Sequence, residues 1–349
     1  MGARTILWAS LALAPVVFLL KWVFDVGDSV LFVVAALALV PLAWLIGEAT
    51  EHAGEHTGPG IGGFLNATFG NAPELIIALI AVNSGLPNVV RGSLTGSVVS
   101  NILLVLGAAL FFGREGTIDR RSLLLQLGLV TLATFAFLIP SIPGWHGDPE
   151  RHSLAILTIP VAVVLLLIYL ALIADNLRRH RRLHTESDYE PSGEGWSLTL
   201  SLGTLAVATL ATALVSEVLV HALDHFADTV NLSEFFISVV IVAIVGNAAE
   251  HGGAIVIARR GKMRLATEIA ISSSAQVAML VAPAVALLSF VLRPPLPLTF
   301  RPIELIAMGA SAVFVGIVIR DGRVRRWEGV MLITVYAAFA LAFLIVGDR

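Results

Sequence analysis

The sequence predicts an all-α, polytopic membrane protein with eleven transmembrane helices, arranged as one extra N-terminal helix plus two inverted five-helix repeats. Three observations predict this fold class. The 349-residue chain is 57% hydrophobic and only 13% charged, whereas soluble domains carry about 25% charged residues. Its apolar residues fall into long runs that are separated by glycine, proline and charge. Short polar motifs recur inside these runs, with one copy in each half of the chain.

The apolar runs are long enough to cross a membrane, because roughly 20 helical residues span the hydrocarbon core of a bilayer. The first run follows Arg4 and resembles a signal peptide, but Pro15 disfavours cleavage after the small residues before it. We therefore interpret this run as a retained helix. The eleven predicted spans are approximately 6–24, 29–47, 61–83, 92–112, 121–139, 153–174, 197–220, 232–258, 265–291, 302–319 and 327–346.

The distribution of Lys and Arg predicts how these helices are oriented. If each predicted helix crosses the membrane once, sixteen of the 22 Lys and Arg residues lie on the same side of the membrane as the N-terminus. The other six lie on the opposite side. Positive residues accumulate on the cytoplasmic side of a membrane. We therefore expect a cytoplasmic N-terminus and an external C-terminus in the plasma (inner) membrane.

The predicted organisation has four parts. An extra N-terminal transmembrane helix occupies 1–28, the first five-helix repeat 29–174 and the second 197–349. The polar stretch 175–196 begins basic and becomes acidic; we interpret it as a cytoplasmic linker, with a cation-sensing segment as the alternative. Because five is odd, the second repeat enters the membrane from the opposite face, and a central site is expected where the repeats meet.

A glutamate stands inside an apolar run in each half of the chain. Glu74 ends the motif GNAPE at 70–74, and Glu250 ends the motif GNAAE at 246–250. Ionisable groups at bilayer depth are costly and usually functional, so these glutamates are the leading candidates for an ion site. Pro73 removes a helix hydrogen bond, so its span should be kinked or locally unwound.

Oxygen-bearing side chains follow each glutamate on the next predicted span. The first copy has Ser97 and Asn101, four residues apart, and the second has Ser272, also four residues before Gln276, with Ser273 as the alternative. Residues four apart share one face of a helix, so these side chains are expected to point the same way. They are candidate ion ligands, and hydrogen bonding between helices is the alternative.

A third pair of motifs stands near the ends of spans two and seven. HAGEH at 52–56 matches HALDH at 221–225, and a glutamate precedes each by four residues, Glu48 and Glu217. Glu51 is a further acid in the first copy only. We interpret these motifs as polar, partly hydrated helix ends.

The first of these motifs also fits an inverted zinc signature. His52 and His56 would be the metal ligands of a membrane peptidase, and Glu55 its general base. Glycine and proline weaken the helix that this signature requires, and the second copy has Asp224 in the acid position. A zinc-dependent membrane peptidase is therefore only a remote alternative.

Two carboxylates with amide and hydroxyl oxygens form a hard cation site. Calcium takes about 6–8 oxygen ligands in flexible geometry, and two glutamates neutralise its charge. Without a cation, two close carboxylates in a low dielectric cannot both stay ionised, so they should hold protons. Proton and cation then exclude each other, which is the minimum requirement for an antiporter. The chain has no cysteine and a net charge of -3; we expect no thiolate metal site, no cofactor and no nucleic-acid partner.

These motifs resemble those of the calcium/proton exchanger (CAX) family of the cation/calcium exchanger superfamily. The resemblance is close over 48–113, through EATEHAGEHTGPGIGGFLNATFGNAPELI, and over 216–290, through EFFISVVIVAIVGNAAEH. By this resemblance, Glu74 and Glu250 would bind Ca²⁺ and protons in turn. The supporting oxygens would come from Asn71, Asn247, Ser100, Asn101 and Gln276, and the secondary acids or proton-path residues would be Glu48, Glu51, Glu217 and His251.

The residues and the resemblance together imply a secondary active antiporter rather than an enzyme. It would exchange cytoplasmic Ca²⁺ for protons across the lipid bilayer by alternating access, driven by the proton gradient. A sodium/calcium or other divalent-cation exchanger is the alternative, although Asn71 and Asn247 stand where a sodium-coupled protein is expected to offer hydroxyls. A passive cation channel is a further alternative function. The stretch 175–196 departs from the long acidic helix of eukaryotic relatives, and no pattern indicates an oligomeric state.

Overall fold

The computed structural model describes residues 3–183, 195–292 and 294–347, and this part of the chain is almost entirely helical. The helices of the N-terminal half are α1 (Ala3–Ser10), α2 (Leu13–Trp22), α3 (Asp28–Phe69), α4 (Ala72–Asn83), α5 (Pro87–Val99), α6 (Leu106–Phe112), α7 (Arg120–Gly144) and α8 (His152–Leu183). Those of the C-terminal half are α9 (Leu198–Val230), α10 (Glu234–Ile237), α11 (Ala243–Gly246), α12 (Ala248–Arg259), α13 (Met263–Gln276), α14 (Ala282–Leu292), α15 (Pro302–Val318) and α16 (Arg326–Val346).

Short elements connect several of these helices. Wider, π-helical turns at Ser100–Val105, Ser238–Val242 and Val277–Val281 join α5 to α6, α10 to α11 and α13 to α14. A 3₁₀ turn, Ile319–Asp321, follows α15. The strands β1 (Gly116–Thr117) and β2 (Arg323–Val324) pair antiparallel, so the loops after α6 and α15 lie at the same end of the bundle.

Many of the helices are long and apolar enough to cross a membrane. The described residues contain nine such helices, or ten if α10–α11 and α12, which meet at a 58° bend, form one span. The 12-residue α4 is a shorter apolar helix. The predicted class of an all-helical, multi-pass membrane protein is confirmed, whereas the count of eleven spans and the inverted-repeat layout stay predictions.

The predicted interruption between spans two and three is wrong. α3 continues without a break for 42 residues, through the glycine-rich stretch that follows residue 47. It packs extensively against α9, and such tertiary packing overrides the poor helix propensity of glycine. The chain breaks instead after Phe69. Pro73 lies in the first turn of α4, where a proline costs no helix hydrogen bond.

α5 and α6 occupy the centre of the bundle. In the most apolar stretch of Pro87–Phe112, 89% of the residues are buried, compared with 17% in Arg326–Val346. A Cβ on Gly96 would lie 2.0 Å from the carbonyl oxygen of Val239. Only glycine therefore permits α5 to approach the chain between α10 and α11 this closely, as small residues do in membrane helix pairs.

A buried charged network joins the two halves of the chain at the N-terminal end of α5. Arg91, only 4% exposed, donates to the Glu150 carboxylate at 2.6 Å and to the Thr299 hydroxyl at 3.1 Å. Arg301 lies over the ring of Phe235, with its guanidinium carbon 4.8 Å from the ring centre. These contacts close this end of the bundle around α5.

The predicted linker is only partly described. Residues 184–194 and the side chains of 176–183 lie outside the described residues. Directly after them, the ring of Trp196 stacks on His52 at 5.0 Å, and its carbonyl accepts a hydrogen bond from His56 Nε2 at 2.6 Å. The chain therefore contacts α3 again before α9 begins.

Candidate ion-binding site

Two short helices begin inside the bundle at equivalent points of the two GNA motifs. Asn71 precedes α4 and Asn247 precedes α12, with similar backbone angles of φ −101°, ψ 17° and φ −92°, ψ 19°. Glu74 and Glu250 are each the third residue of their helix. The first turn of a helix offers unpaired N–H groups and the positive end of the helix dipole. Both carboxylates therefore stand where negative charge is stabilised.

The structure brings the two glutamates together. Their carboxyl groups are close enough to interact electrostatically. Glu74 is 6% exposed and packs beside Gly246, where a Cβ would lie 3.5 Å from Glu74 Cγ. Both oxygens of Glu74 and Oε2 of Glu250 are buried and have no hydrogen-bond partner within the described chain. Because buried polar atoms are nearly always paired, these oxygens indicate a place for a proton or a cation.

Four amide side chains pair across the two halves of the chain. Asn71 Nδ2 donates to Gln276 Oε1 at 2.6 Å, and Asn101 Nδ2 donates to Asn247 Oδ1 at 2.7 Å. Asn71, just before α4, pairs with Gln276 at the end of α13. Asn247, just before α12, pairs with Asn101 in the turn after α5. Asn101 Oδ1 is buried without a partner in the described part of the protein, so it is a further candidate oxygen ligand.

Two serines complete this amide network. Asn247 Nδ2 donates to Ser97 Oγ at 2.7 Å, and Asn101 Nδ2 donates to Ser273 Oγ at 2.9 Å. Ser273 is therefore the partner in the second copy. Ser272 instead donates to a carbonyl one turn earlier in its own helix.

Ser100 has a different place from the one that the resemblance implied. Its hydroxyl is fully buried and donates back to the carbonyl of Ser97 at 3.4 Å, near the limit for a hydrogen bond. Ser100 lies at the start of the first π-helical turn. It is close to the network in sequence, but its hydroxyl bonds to the backbone of its own helix instead of to the amides.

A cavity of about 690 Å³ reaches the site from one end of the bundle. Glu250 and Gln276 line it, together with Glu48 and Glu51 of α3. Glu217 is not in its wall and is exposed on α9. The structure therefore brings two of the three secondary acids to the path towards Glu250, and leaves the third away from it.

The same end of the bundle carries basic loops. Leu265 lines the cavity and also a neighbouring surface depression whose wall includes Arg114, Lys262 and Arg264. The cavity therefore opens towards the loops on which the N-terminal-side Lys and Arg residues are concentrated. The charged network of Arg91 lies at the opposite end of the bundle, where α5 begins.

His251 directly follows Glu250 and lies at the same broken helix. The residue as a whole is half-buried, and its Nε2 is buried without a hydrogen-bond partner among the residues that the structure describes. This placement brings a second titratable group to the start of α12.

The histidine motif of α3 is engaged in local contacts. His52 Nδ1 lies 3.1 Å from Glu55 Oε2, and His52 Nε2 lies 3.8 Å from Glu48 Oε1. His56 bonds to the carbonyl of Trp196 rather than turning towards His52. Within the described residues, no three His, Asp or Glu side chains form a group that could hold a metal ion. This arrangement does not favour the peptidase.

Sequence reasoning missed one feature of the site. The π-helical turns at Ser100–Val105 and Val277–Val281 begin beside Asn101 and Gln276. Such turns are frequent at functional sites but have no reliable sequence signature.

Comparison with known proteins identifies the family. The family model described as "Sodium/calcium exchanger protein" matches residues 28–175 and 200–345. The chain belongs to the sodium/calcium exchanger family. Within this family it is a CAX-type calcium/proton exchanger, as the sequence motifs predicted.

Members of this exchanger branch match nearly the whole chain. The Ca(2+)/H(+) antiporter ChaA of Bacillus subtilis is 38% identical over 96% of both chains. The Ca(2+)/H(+) antiporter of Aphanothece halophytica is 34% identical over 98% of this chain and 97% of its own. Both relatives are transporters rather than enzymes.

Solved structures of exchangers share the fold. The structure of native YfkE matches with a TM-score of 0.83 at 34% identity, covering 97% of this chain and 99% of that one. The sodium-calcium exchanger NCX_Mj matches with a TM-score of 0.58 at 17% identity, covering 92% of this chain and 99% of that one. This more distant likeness shows the fold alone.

Replacing Asn247 with alanine is expected to weaken Ca²⁺ transport at low concentration. Asn247→Ala removes hydrogen bonds to Ser97 and Asn101, and a buried group left unpaired costs roughly 1–3 kcal/mol. The Ca²⁺ concentration for half-maximal transport should therefore rise about 10- to 100-fold. Asn83→Ala, at the exposed end of α4, is the matched control and should leave it unchanged. An unaltered Ca²⁺ dependence in Asn247→Ala would contradict this interpretation of the network.

Proposed function

We propose that this chain, a Ca²⁺/H⁺ antiporter, carries both of its ions at the carboxyl pair of Glu74 and Glu250. One observation carries the proposal: two glutamates, each in the first turn of a helix that begins at a GNA motif, lie near each other with buried, unpaired oxygens. Two carboxylates balance the charge of Ca²⁺, and amide oxygens supply further hard ligands. Asn101 Oδ1 and the amide oxygens of Asn71, Asn247 and Gln276 are the nearest candidates in the network.

Protons and Ca²⁺ would compete for the same oxygens. Two neighbouring carboxylates in a low-dielectric interior repel each other unless a cation lies between them or a proton neutralises one of them. Ca²⁺ binding therefore displaces protons, and protonation releases Ca²⁺. His251, beside Glu250, is proposed to accept or donate protons during this exchange.

We further propose that the fold consists of an extra helix over 1–28, inverted five-helix repeats over 29–174 and 197–349, and a cytoplasmic linker over 175–196. In this layout the end of α3 together with α4 forms the third span along the chain, which raises the count from ten to eleven. It is the counterpart of α10–α12. The two amide pairs that cross between the halves support this layout. So does the family model, which matches once in each half.

The orientation follows from the basic loops. The N-terminus is proposed to be cytoplasmic and the C-terminus external, in the plasma (inner) membrane. The cavity that reaches Glu250 then opens to the cytoplasm, and the Arg91 network closes the outside. Deprotonated Glu74 and Glu250 would bind cytoplasmic Ca²⁺, the two repeats would rock, and external protons would replace the ion. Glu48 and Glu51 line the path by which Ca²⁺ enters.

Transport driven by imposed gradients tests this function. The purified protein is reconstituted into vesicles that are acidic inside, and uptake of radiolabelled Ca²⁺ is followed. We expect uptake that stops when an ionophore collapses the proton gradient. A second set of vesicles carries an outward sodium gradient at equal pH on both sides, and should show no uptake. Uptake driven by sodium alone would favour the sodium/calcium alternative, and uptake that ignores both gradients would indicate a channel.

A further inference from the structure

A basic depression lies on the surface of the bundle, beside the cavity that leads to Glu250. Its volume is about 590 Å³, and it is formed where the loop after α6 meets the turn between α12 and α13. Arg114 enters its wall from the loop, and Lys262 and Arg264 enter from the turn and the start of α13. Leu265 lines both this depression and the cavity. The depression therefore borders the ion path, but it is separate from the carboxyl pair.

Two of the three cations in the wall are available to a ligand. No ion pair or hydrogen bond joins the side chain of Arg114 or Lys262 to any described residue, and both residues are exposed. Arg264, in contrast, donates to Asp119 Oδ2 at 2.5 Å. Two cations of one recess without counter-charges favour an anionic ligand, because both charges act on the same bound group.

The two acids in the wall are engaged by other groups. Glu268 Oε2 accepts hydrogen bonds from Ser122 Oγ at 3.1 Å and from Gln126 Nε2 at 2.8 Å, both on the neighbouring α7. Glu115 Oε1 accepts from the backbone N–H of Arg326, at the start of α16. Since neither carboxylate forms an ion pair with the two available cations, the wall keeps a place for a negative charge from outside the chain.

The depression borders the apolar, lipid-facing surface of the bundle. Phe112, at the end of α6, is 50% exposed, and Leu265, in α13, is 49% exposed. The guanidinium carbon of Arg259 lies 6.0 Å from the centre of the Phe112 ring. Exposed apolar side chains of a membrane protein face acyl chains, and positive side chains collect at the headgroup level just beyond them. The depression therefore lies at the depth of the lipid phosphates.

Close packing fixes the two chain segments that form the depression. A Cβ on Gly113 would lie 2.3 Å from Met263 Cε, so the end of α6 lies against the start of α13. Gly261 has a φ of +81°, a left-handed conformation that glycine adopts readily and that reverses the chain between α12 and α13. A Cβ there would be 3.8 Å from Arg114 Cδ. The side chain of Arg114 therefore reaches the turn that carries Lys262.

We infer that the basic depression binds the phosphate headgroup of an anionic phospholipid. Arg114 and Lys262 pair with the phosphate oxygens, as basic side chains between transmembrane helices do with lipid headgroups. The hydroxyl of Thr117, also in the wall, adds a hydrogen-bond donor. A bound headgroup holds the turn that connects the helix of Glu250 to that of Gln276. The inference does not depend on the carboxyl pair being the ion carrier.

Thermal unfolding of the detergent-solubilised protein in the presence of added lipid tests this site. Phosphatidylglycerol, which is anionic, should raise the melting temperature by at least about 2 °C, because a ligand that binds only the folded state stabilises it. Phosphatidylcholine, whose headgroup has no net charge, should not. The double variant Arg114→Gln with Lys262→Gln should lose this shift. Arg114→Lys with Lys262→Arg keeps both charges and should retain it.

Arg121→Gln with Arg320→Gln is the matched control. It also removes two exposed positive charges, and neither residue lies in the wall of the depression, so the lipid shift should be that of the wild type. An equal shift in Arg114→Gln with Lys262→Gln, or its loss in the control, would overturn the inference. Inorganic phosphate that reproduces the shift at the same concentration would also overturn it, since the site would then take free phosphate. None of these measurements involves Ca²⁺, so their failure is distinct from failure of the carboxyl pair.

Discussion

Glu74→Gln and Glu250→Gln are each expected to abolish proton-driven Ca²⁺ uptake, with a loss of at least about 100-fold in rate. Each variant keeps the shape of the side chain but removes one of two charges that offset the divalent ion. Leaving a buried charge uncompensated costs about 3–5 kcal/mol, and each 1.4 kcal/mol is roughly a factor of ten. Neither amide can take up and release the transported proton.

The measurement is radiolabelled Ca²⁺ uptake into vesicles that are acidic inside, at equal protein content. Glu115→Gln is the matched control, because Glu115 is exposed in the loop after α6, outside the cavity wall that includes Glu250. It should transport normally. Both site variants should remain folded, since glutamine replaces a buried carboxyl that has unpaired oxygens. Normal uptake in either one would exclude the carboxyl pair as the ion carrier.

Gly96→Ala is expected to prevent normal assembly of the central helices. The added Cβ would lie 2.0 Å from the Val239 carbonyl oxygen and 2.6 Å from the Ala243 Cβ, so α5 must move away from the α10–α11 segment. Overpacking of this kind costs about 1–3 kcal/mol and occasionally more, and both contact atoms here belong to rigid backbone or Cβ positions. The movement also displaces Ser97 from Asn247.

Thermal stability of the detergent-solubilised protein measures this effect. Gly96→Ala should give a lower folded yield and a melting temperature well below that of the wild type. Gly203→Ala is the control, because Gly203 lies in α9 and a Cβ added there would meet no atom within 4 Å. In a helix interior that change is neutral or stabilises by up to about 1 kcal/mol. Equal stability of the two variants would mean that α5 does not pack as described.

The glutamates of the site were predictable because each lies in a local motif. Glu74 and Glu250 each stand out as an acid within an apolar run, and the repeat of the GNA motif links them without any knowledge of the fold. The confirmed family was predictable from the same motifs, and the confirmed membrane class from the long apolar runs around them.

The pairing partners were not predictable because they depend on tertiary contacts. Spacing along a helix favoured Ser272, four residues before Gln276, with Ser273 as the alternative, and only the approach of Asn101 selects Ser273. Likewise, the polar residues after 47 predicted an interruption between spans two and three, but packing against α9 keeps α3 intact.

The amide pairs have a consequence for how the chain varies. Because Asn71 bonds to Gln276 and Asn247 bonds to Asn101, neither half of the polypeptide encodes a complete set of partners. A substitution at one of these positions therefore removes a hydrogen bond from a residue in the opposite half. Compensating substitutions should arise in pairs, with one member on each side of the polar stretch 175–196, so that the sequences of the two halves change together during evolution.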